Sequence, residues 1–309
     1  MKRIASGKAA FLCLTALLVA AAVFLASCGS KTDDRLGQGS DGGARATLAN
    51  DYSFLVCGDP HGRTDLLAEI VGQAREGEFL VIVGDLTTGK GLEEMQGMKD
   101  FLDSTGMEYF AIPGDNDMPT GDPSVFQAVF GPDHYSVEVQ DSRLVFLNDA
   151  ERGVGCSQEQ LAWLRGEVSD LRGEKLVIGF AHVPPGAPVD MGRGGFVEAE
   201  TESGREMKDI LAQAGAPVIY CGHVHAYMLY GSGPPRVVVT GGAGAEPHLS
   251  EQAGGYHHFL RVNVRGDRVS EEVVPIRGGE TRDAGQKGED PVGGYGVFGL
   301  AASLLACTH

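Results

Sequence analysis

The stretch SFLVCGDPHG, residues 53–62, is an apolar run that ends in a glycine, an aspartate and a histidine. The same grammar returns in EFLVIVGDLTTG at 78–89 and MEYFAIPGDNDM at 107–118. Each run is short and apolar or β-branched, the pattern of a strand buried on both faces. Between them, RTDLLAEIVGQAREG (63–77) and GLEEMQGMKDFLDSTG (91–106) carry apolar residues at helical spacing. This β-α-β-α-β order predicts parallel strands joined by right-handed crossovers. Farther along, YSVEVQ (135–140), RLVFLND (143–149), KLVIGFAH (175–182), PVIYCGH (217–223), RVVVTGG (236–242) and FLRVNVRG (259–266) read as strands. SQEQLAWLRGEVSDL (157–171) and REMKDILAQAG (205–215) read as helices. About ten strands exceed a comfortable single open sheet. The expected fold is mixed α/β (α+β), two packed sheets with helices outside.

The acids and histidines sit at the ends of these runs. Asp59 and His61 follow the first run, and Asp85 follows the second, 26 residues after Asp59. Asp115 and Asp117 follow the third, the former 30 residues after Asp85. Gly58, Gly84 and Gly114 precede them and are expected to let the backbone turn tightly. His182 ends another run, and His223 and His225 follow VIYCG. Ligands of α/β sheets gather at the carboxyl ends of parallel strands. Carboxylates and imidazoles together suit Zn, Mn or Fe. Seven ligands, Asp59, His61, Asp85, Asp115, His182, His223 and His225, are too many for one ion and right for two sharing a bridging carboxylate. Two such ions clamp the attacking and leaving oxygens of an in-line displacement. Asp117 reads as a supporting hydrogen-bond acceptor. His248, His257 and His258 match no motif, and Trp163 reads as packing. Arg193 and Arg205 read as surface charge, with a phosphate clamp as the alternative.

These motifs resemble the calcineurin-like metallophosphoesterase family, whose pattern runs D-x-H, G-D, G-N-H-D/E, H and G-H-x-H. Here the pattern stands as Asp59-Pro60-His61, Gly84-Asp85, Gly114-Asp115-Asn116-Asp117, His182 and Gly222-His223-Val224-His225. FGPDHYSV, SQEQLAWL, HVPP and VVVTGGAG agree as well, so the likeness covers about Ser53 to Ile276. The resemblance implies a four-layer αββα sandwich holding two divalent or trivalent ions (Mn, Fe or Zn). One ion would be held by Asp59, His61, Asp85 and His225, the second by Asp85, Asp115, His182 and His223. It implies a hydroxide between the ions attacking a phosphomonoester, phosphodiester or pyrophosphate, in a small molecule or a protein. Asp85, His182 and Asn116 are the catalytic candidates it points to.

Two residues depart from that pattern. Asp115 replaces an asparagine ligand, so three carboxylates against two divalent ions leave +1 instead of +2. Asn116 replaces a histidine that assists the leaving group in many members, and an amide cannot deliver a proton. The alternative to an enzyme is a degenerate relative that binds metal or a phosphorylated partner without efficient turnover.

The ends of the chain carry a different signal. Lys2, Arg3 and Lys8 precede a mostly apolar stretch, Ala9 to Ala26, which closes on Leu25-Ala26-Ser27-Cys28. That is the layout of an export leader, and its end resembles the lipobox of bacterial lipoproteins. Residues 1–27 are thus expected to be removed, with Cys28 lipidated. The alternatives are an ordinary signal peptide or an uncleaved anchor helix. Residues 28–51 are rich in Gly, Ser and Asp and read as a flexible tether. The folded domain is expected over 52–276, followed by a linker and a short apolar tail over 277–309. The tail is too short for an ordinary membrane span. The expected place is extracytoplasmic, periplasmic or cell-surface, held to a membrane by the lipid.

The 309 residues include 25 basic and 42 acidic ones, a formal charge of −17. Loss of the leader would leave 22 basic residues and a charge near −20. An acidic chain lacks the electrostatic grip for coating nucleic acid. Of six cysteines, Cys57, Cys156, Cys221 and Cys307 show no metal-like spacing. Cys57 and Cys221 end apolar runs and are expected to be buried thiols.

Overall fold

In the computed structural model, residues 48–186, 189–190, 196–197, 201–231 and 233–277 are described. The expected leader, the lipidation at Cys28, most of the tether, Arg193, Cys307 and the apolar tail lie outside them.

The elements run in chain order as β1 (Asp51–Cys57), α1 (Thr64–Val71), β2 (Leu80–Val83), α2 (Leu92–Ser104), β3 (Tyr109–Ile112), α3 (Ser124–Phe130), β4 (Tyr135–Val139), β5 (Ser142–Phe146), α4 (Gln158–Glu167), β6 (Leu176–Phe180), the small hairpin β7 (Val189–Asp190) and β8 (Phe196–Val197), α5 (Glu202–Gln213), β9 (Val218–Cys221), β10 (Tyr227–Tyr230), β11 (Arg236–Thr240), β12 (His258–Arg265) and β13 (Arg268–Pro275). One sheet has the order β13-β12-β1-β2-β3, the other β10-β11-β9-β6-β5-β4. β1, β2 and β3 are parallel, as the β-α-β-α-β reading requires, and β12 and β13 extend that sheet antiparallel. In the second sheet β5, β6, β9 and β11 run parallel, with β4 and β10 antiparallel at the edges.

The period-2 alternation of each strand sorts its side chains into layers. Phe54 and Val56 of β1, Val81 and Val83 of β2, Ile178 and Phe180 of β6, and Val218 and Tyr220 of β9 fill the space between the sheets. Ring contacts knit this layer together, with Phe146 stacked on Phe180 at 4.8 Å and Phe54 edge-on to Phe180 at 6.0 Å. The alternate residues face helices. Leu55 and Cys57 meet Leu66, Leu67 and Ile70 of α1 and Met95, Met98 and Leu102 of α2. Ile219 and Cys221 meet Leu161 and Leu164 of α4 and Met207 and Leu211 of α5. The result is the expected four-layer arrangement, two mixed sheets flanked by helices. Strands covered on both faces need no polar side, which is why they read as continuous apolar runs.

Ser157 and Thr201 cap α4 and α5, accepting from the backbone N–H groups of Gln160 (3.2 Å) and Gly204 (2.9 Å). β1 begins at Asp51, one residue ahead of the expected boundary. The preceding Asn50 is buried, donating to Gly266 O and accepting from Asp141 N and Ser142 Oγ. Cys57, Cys156 and Cys221 are buried and unpaired, and burial pushes each thiol pKa up. Among the described residues no helix is long and apolar enough to cross a membrane.

Candidate metal centre

The seven proposed ligands stand on the loops that leave β1, β2, β3, β6 and β9 at their carboxyl ends. Parallel order makes those ends converge on one rim of the two sheets. Four of the seven hold their backbones at positive φ, namely Asp59 (60°), His61 (46°), Asp85 (53°) and His223 (65°). L-residues rarely adopt that region, and its appearance at several neighbouring positions marks a site whose geometry the surroundings impose. The glycines serve differently from expectation. Of the three, only Gly84, at φ 87°, combines a left-handed turn with a crowded position, where a Cβ would overlap the His182 ring. Gly114 lies outside that region and is there for space, since a Cβ would overlap Asp85 Oδ1 and the Asp85 backbone N. Gly58 also turns without a positive φ.

Two groups of ligand atoms result, each within 4.8 Å of one another: Asp59, His61, Asp85 and His225, and then Asp115, His182 and His223. Asp85 reaches both. Its Oδ2 lies 3.1 Å from His61 Nε2, and its Oδ1 lies 3.5 Å from His182 Nε2. Asp115 Oδ1 faces His182 Nε2 at 3.1 Å and His223 Nδ1 at 3.0 Å, while Asp59 Oδ1 is 3.5 Å from His225 Nε2.

Tautomers make this donor set a test of metal fit. His182 Nδ1 is 2.9 Å from the Val83 carbonyl, and His225 Nδ1 is 2.8 Å from the Glu246 carbonyl. A carbonyl only accepts, so in the neutral ring the proton sits on Nδ1 and the Nε2 lone pair points inward. Those lone pairs face carboxylate oxygens, which are acceptors too. Such an arrangement is satisfied only by a cation between them, either a proton or a metal ion. Backbone carbonyls fixing the far nitrogen are what metal-ligating histidines require. Without an ion the proton is held instead. Burial alone would lower the His182 pKa, but Asp85 and Asp115 override it and hold it well above the ordinary value. Burial acts upward on Asp115, yet His182 and His223 bring its carboxyl far below the usual range.

Supporting groups surround the ligands. Asp117 stands outside both groups: buried, it accepts from Gly114 N (2.9 Å), Leu86 N (3.0 Å), Thr87 N (2.9 Å) and Thr87 Oγ1 (2.8 Å), tying the β2 and β3 loops together. Burial and the nearby Asp85 nevertheless push its pKa up to about 6. Asn116 donates from its backbone N to Asp85 Oδ1 (2.8 Å) and from its amide to Asp85 Oδ2 (2.5 Å). The amide thus sits on the shared carboxylate.

Sequence reasoning overlooked Asp149 and Arg152 and set His248 aside. Asp149, past the end of β5 and buried, accepts from His182 N (2.8 Å) and Val183 N (3.1 Å). Arg152 donates to Asp115 Oδ2 from Nε (3.0 Å) and Nη2 (2.5 Å). His248 stacks on His225 at 3.7 Å and accepts its backbone N–H at Nδ1 (3.2 Å). No motif marks any of them. The one available hint was that RLVFLND ends in an aspartate, as the other strands do. His257 and His258 take no part: their Nδ1 atoms bond the Gly242 and Tyr256 carbonyls.

The described chain resembles several solved structures. It shares 13% identity with a dimetal phosphatase from Danio rerio, at a TM-score of 0.59, covering 73% of this chain and 96% of that one. A purple acid phosphatase from yellow lupin (Lupinus luteus) seeds gives 14% identity and a TM-score of 0.56 over 75% of this chain. The match spans only 52% of the lupin protein, about half its length. A protein described as the anchor in the inner membrane complex of Plasmodium gives 12% identity and a TM-score of 0.56, covering 74% of this chain and 86% of that one. At these identities the likeness is one of fold. No curated protein matches the sequence significantly. The profile of the calcineurin-like phosphoesterases matches residues 52–227, more than half of the chain. Four layers, two ligand clusters at one rim and that profile agree, and the chain belongs to the calcineurin-like phosphoesterase family.

Proposed function

We propose that this protein is a two-metal-dependent phosphoesterase that hydrolyses a phosphate ester or pyrophosphate at the Asp85-centred site. The reading rests chiefly on one observation: Asp85 faces both ligand clusters, one carboxylate oxygen to each. When bound, a pair of ions supplies a nucleophile from water at neutral pH and charge to stabilise the phosphoryl oxygens. The chain's own residues hold that centre. Val83 and Glu246 carbonyls fix the histidine tautomers, Asn116 and Asp117 fix the Asp85 loop, and Asp149 fixes the backbone of His182. The donor set of three carboxylates and four imidazoles suits Mn, Fe or Zn.

Nothing protonatable stands at position 116, so departure of a poor leaving group lacks one source of help. Acid–base assistance is worth about 10²–10⁴ in rate. The expected preference is for aryl esters, activated diesters and pyrophosphates over alkyl monoesters. We further propose that the mature protein starts at a lipidated Cys28 and works outside the cytoplasm on a small phosphorylated molecule or a protein. The support is the leader and the small-residue run before Cys28. Mass spectrometry of the mature N-terminus should find a diacylglyceryl cysteine, and an intact leader would refute the anchor.

Metal analysis of the purified protein, joined to assays of aryl phosphate mono- and diesters with added Mn, tests the activity. About two ions per chain and metal-dependent turnover are expected. Bound metal without turnover on any ester would favour a binding domain, the reading to which Asn116 lends weight.

A further inference from the structure

The pocket beside the second cluster contains an arginine that no motif marks. It measures about 340 Å³, within the range of small-molecule sites. Asp115 and His223 form part of its wall, so a group lying in the pocket meets the second cluster directly. Arg152 also lines it, from the turn that follows β5, with its side chain 76% exposed. The other charged groups on this wall are the carboxylates of Asp115, Asp149 and Glu151. Arg152 is therefore the one Lys or Arg among the described lining residues, a fixed charge for an anionic substrate beside any bound ions.

Its orientation is set by Asp115. The Arg152 Nε and Nη2 both donate to one carboxylate oxygen, Oδ2, at 3.0 and 2.5 Å. The other oxygen, Oδ1, faces His182 Nε2 and His223 Nδ1. One oxygen thus serves the ligand cluster and the other the guanidinium, whose Nη1 has no partner among the described residues. The residue type at 115 matters to this division. An asparagine could turn its carbonyl oxygen to the imidazoles, but its NH₂ would then meet the guanidinium, donor against donor. Aspartate alone of the two offers an acceptor on both sides. The departure at 115 also removes one unit of positive charge from the loaded site, and Arg152 returns one.

We propose that Arg152 is a phosphate-binding residue of the substrate pocket, held in place by Asp115. The two form a matched pair in which Asp115 positions the guanidinium and the guanidinium donates to the phosphoryl oxygens. This rests on the phosphoesterase reading above. Arg152 contributes to substrate affinity, and the ions remain in place without it.

Titration calorimetry of inorganic phosphate into the Mn-loaded full chain tests the pair, with metal content and steady-state kinetics measured alongside. Arg152→Gln should keep its metal and weaken phosphate binding about tenfold, the worth of one charge-assisted hydrogen bond. KM for an aryl phosphate should rise with kcat little changed, and Arg152→Lys should recover part of the loss. In an Asp115→Asn background, Arg152→Gln should cost less than about threefold, because the guanidinium is no longer held. Unchanged phosphate affinity in Arg152→Gln, beside an active wild type, would overturn the inference alone. Equal losses in both backgrounds, or loss of metal with Arg152→Gln, would overturn the matched pair. A wild type that neither holds metal nor hydrolyses any ester would instead overturn the reading beneath it.

Discussion

The two ligand clusters use the same residue types but differ in what stands behind them. Asp59, Asp85, His61 and His225 are backed by protein: the His223 backbone N–H bonds the Asp59 carboxylate at 2.9 Å, and His248 covers the His225 ring. Asp115, His182 and His223 have a closed side and an open one. His182 is fully buried, yet Asp115 and His223 border the pocket with Arg152. On the phosphoesterase reading each cluster would hold an ion, and the second would also meet the substrate, through the pocket that Asp115 and His223 border. Equal ligand chemistry does not give equal roles; the difference lies in which carboxylate oxygens remain for other partners.

The most severe way to break the comparison is Asp85→Asn, which removes the charge shared by both clusters. Loss of a partner behind a ligand typically costs about 10–100-fold in metal affinity or activity. Losing the bridging ligand itself should cost more, and elemental analysis should find less than one ion per chain. Asp149→Ala should separate the clusters. The change removes the carboxylate oxygen to which the backbone N–H groups of His182 and Val183 both donate, so the second ion should weaken about 10–100-fold while the first is kept. A metal titration with two resolved steps reads this, and equal weakening of both steps would contradict it.

Acidification should act next. His182 and His61 both have raised pKa values in the metal-free protein, where carboxylates offset the opposing effect of burial. A ligand nitrogen must lose its proton before an ion can take its place. Metal affinity should therefore fall as pH drops below those raised values, by up to about tenfold per unit for each proton displaced. Proton release on adding Mn in two buffers of different ionisation heat measures the number. The smallest effect is expected from Asn116→Ala. Its amide bond to the Asp85 carboxylate stands with or without an ion, so only part of its worth, about 0.5–1.5 kcal/mol or 2- to 13-fold, should reach metal affinity. The dependence of rate on leaving-group pKa should stay as it was; a steeper slope would mean that the amide serves the leaving group directly.

Most of the architecture was legible because doubly covered strands write themselves as apolar runs. All nine strands expected from the sequence are present, from SFLVCG to FLRVNVRG. What escaped has a common cause. β13 alternates exposed and partly buried residues at the edge of one sheet and carries no apolar run, while β10 is apolar but only four residues long at an edge of the other. The short α3 has one fully buried side chain, Phe126. The ligands were legible because strand ends and motif spacing put them there. Asp149, Arg152 and His248 were not, since each reaches the site only through contacts between segments far apart in sequence. Asp115 shows the limit most clearly: as a letter it reads as a lost asparagine, and only beside Arg152 does it acquire a second purpose.

The left-handed backbones at Asp59, His61, Asp85 and His223 have a consequence for how this protein can change over generations. Each such residue carries on the order of 1–3 kcal/mol of strain that glycine would relieve. Selection for thermal resistance alone, applied to the ion-free chain, should therefore favour glycine at these positions wherever that relief exceeds the loss of side-chain bonds such as those of Asp59 to His223 N and Asp85 to Asn116 N. Selection under metal should hold them fixed, because bound ions stabilise the folded state by mass action. The two regimes pull the same four codons in opposite directions, so sequence drift at these positions would record whether a lineage still used its ions.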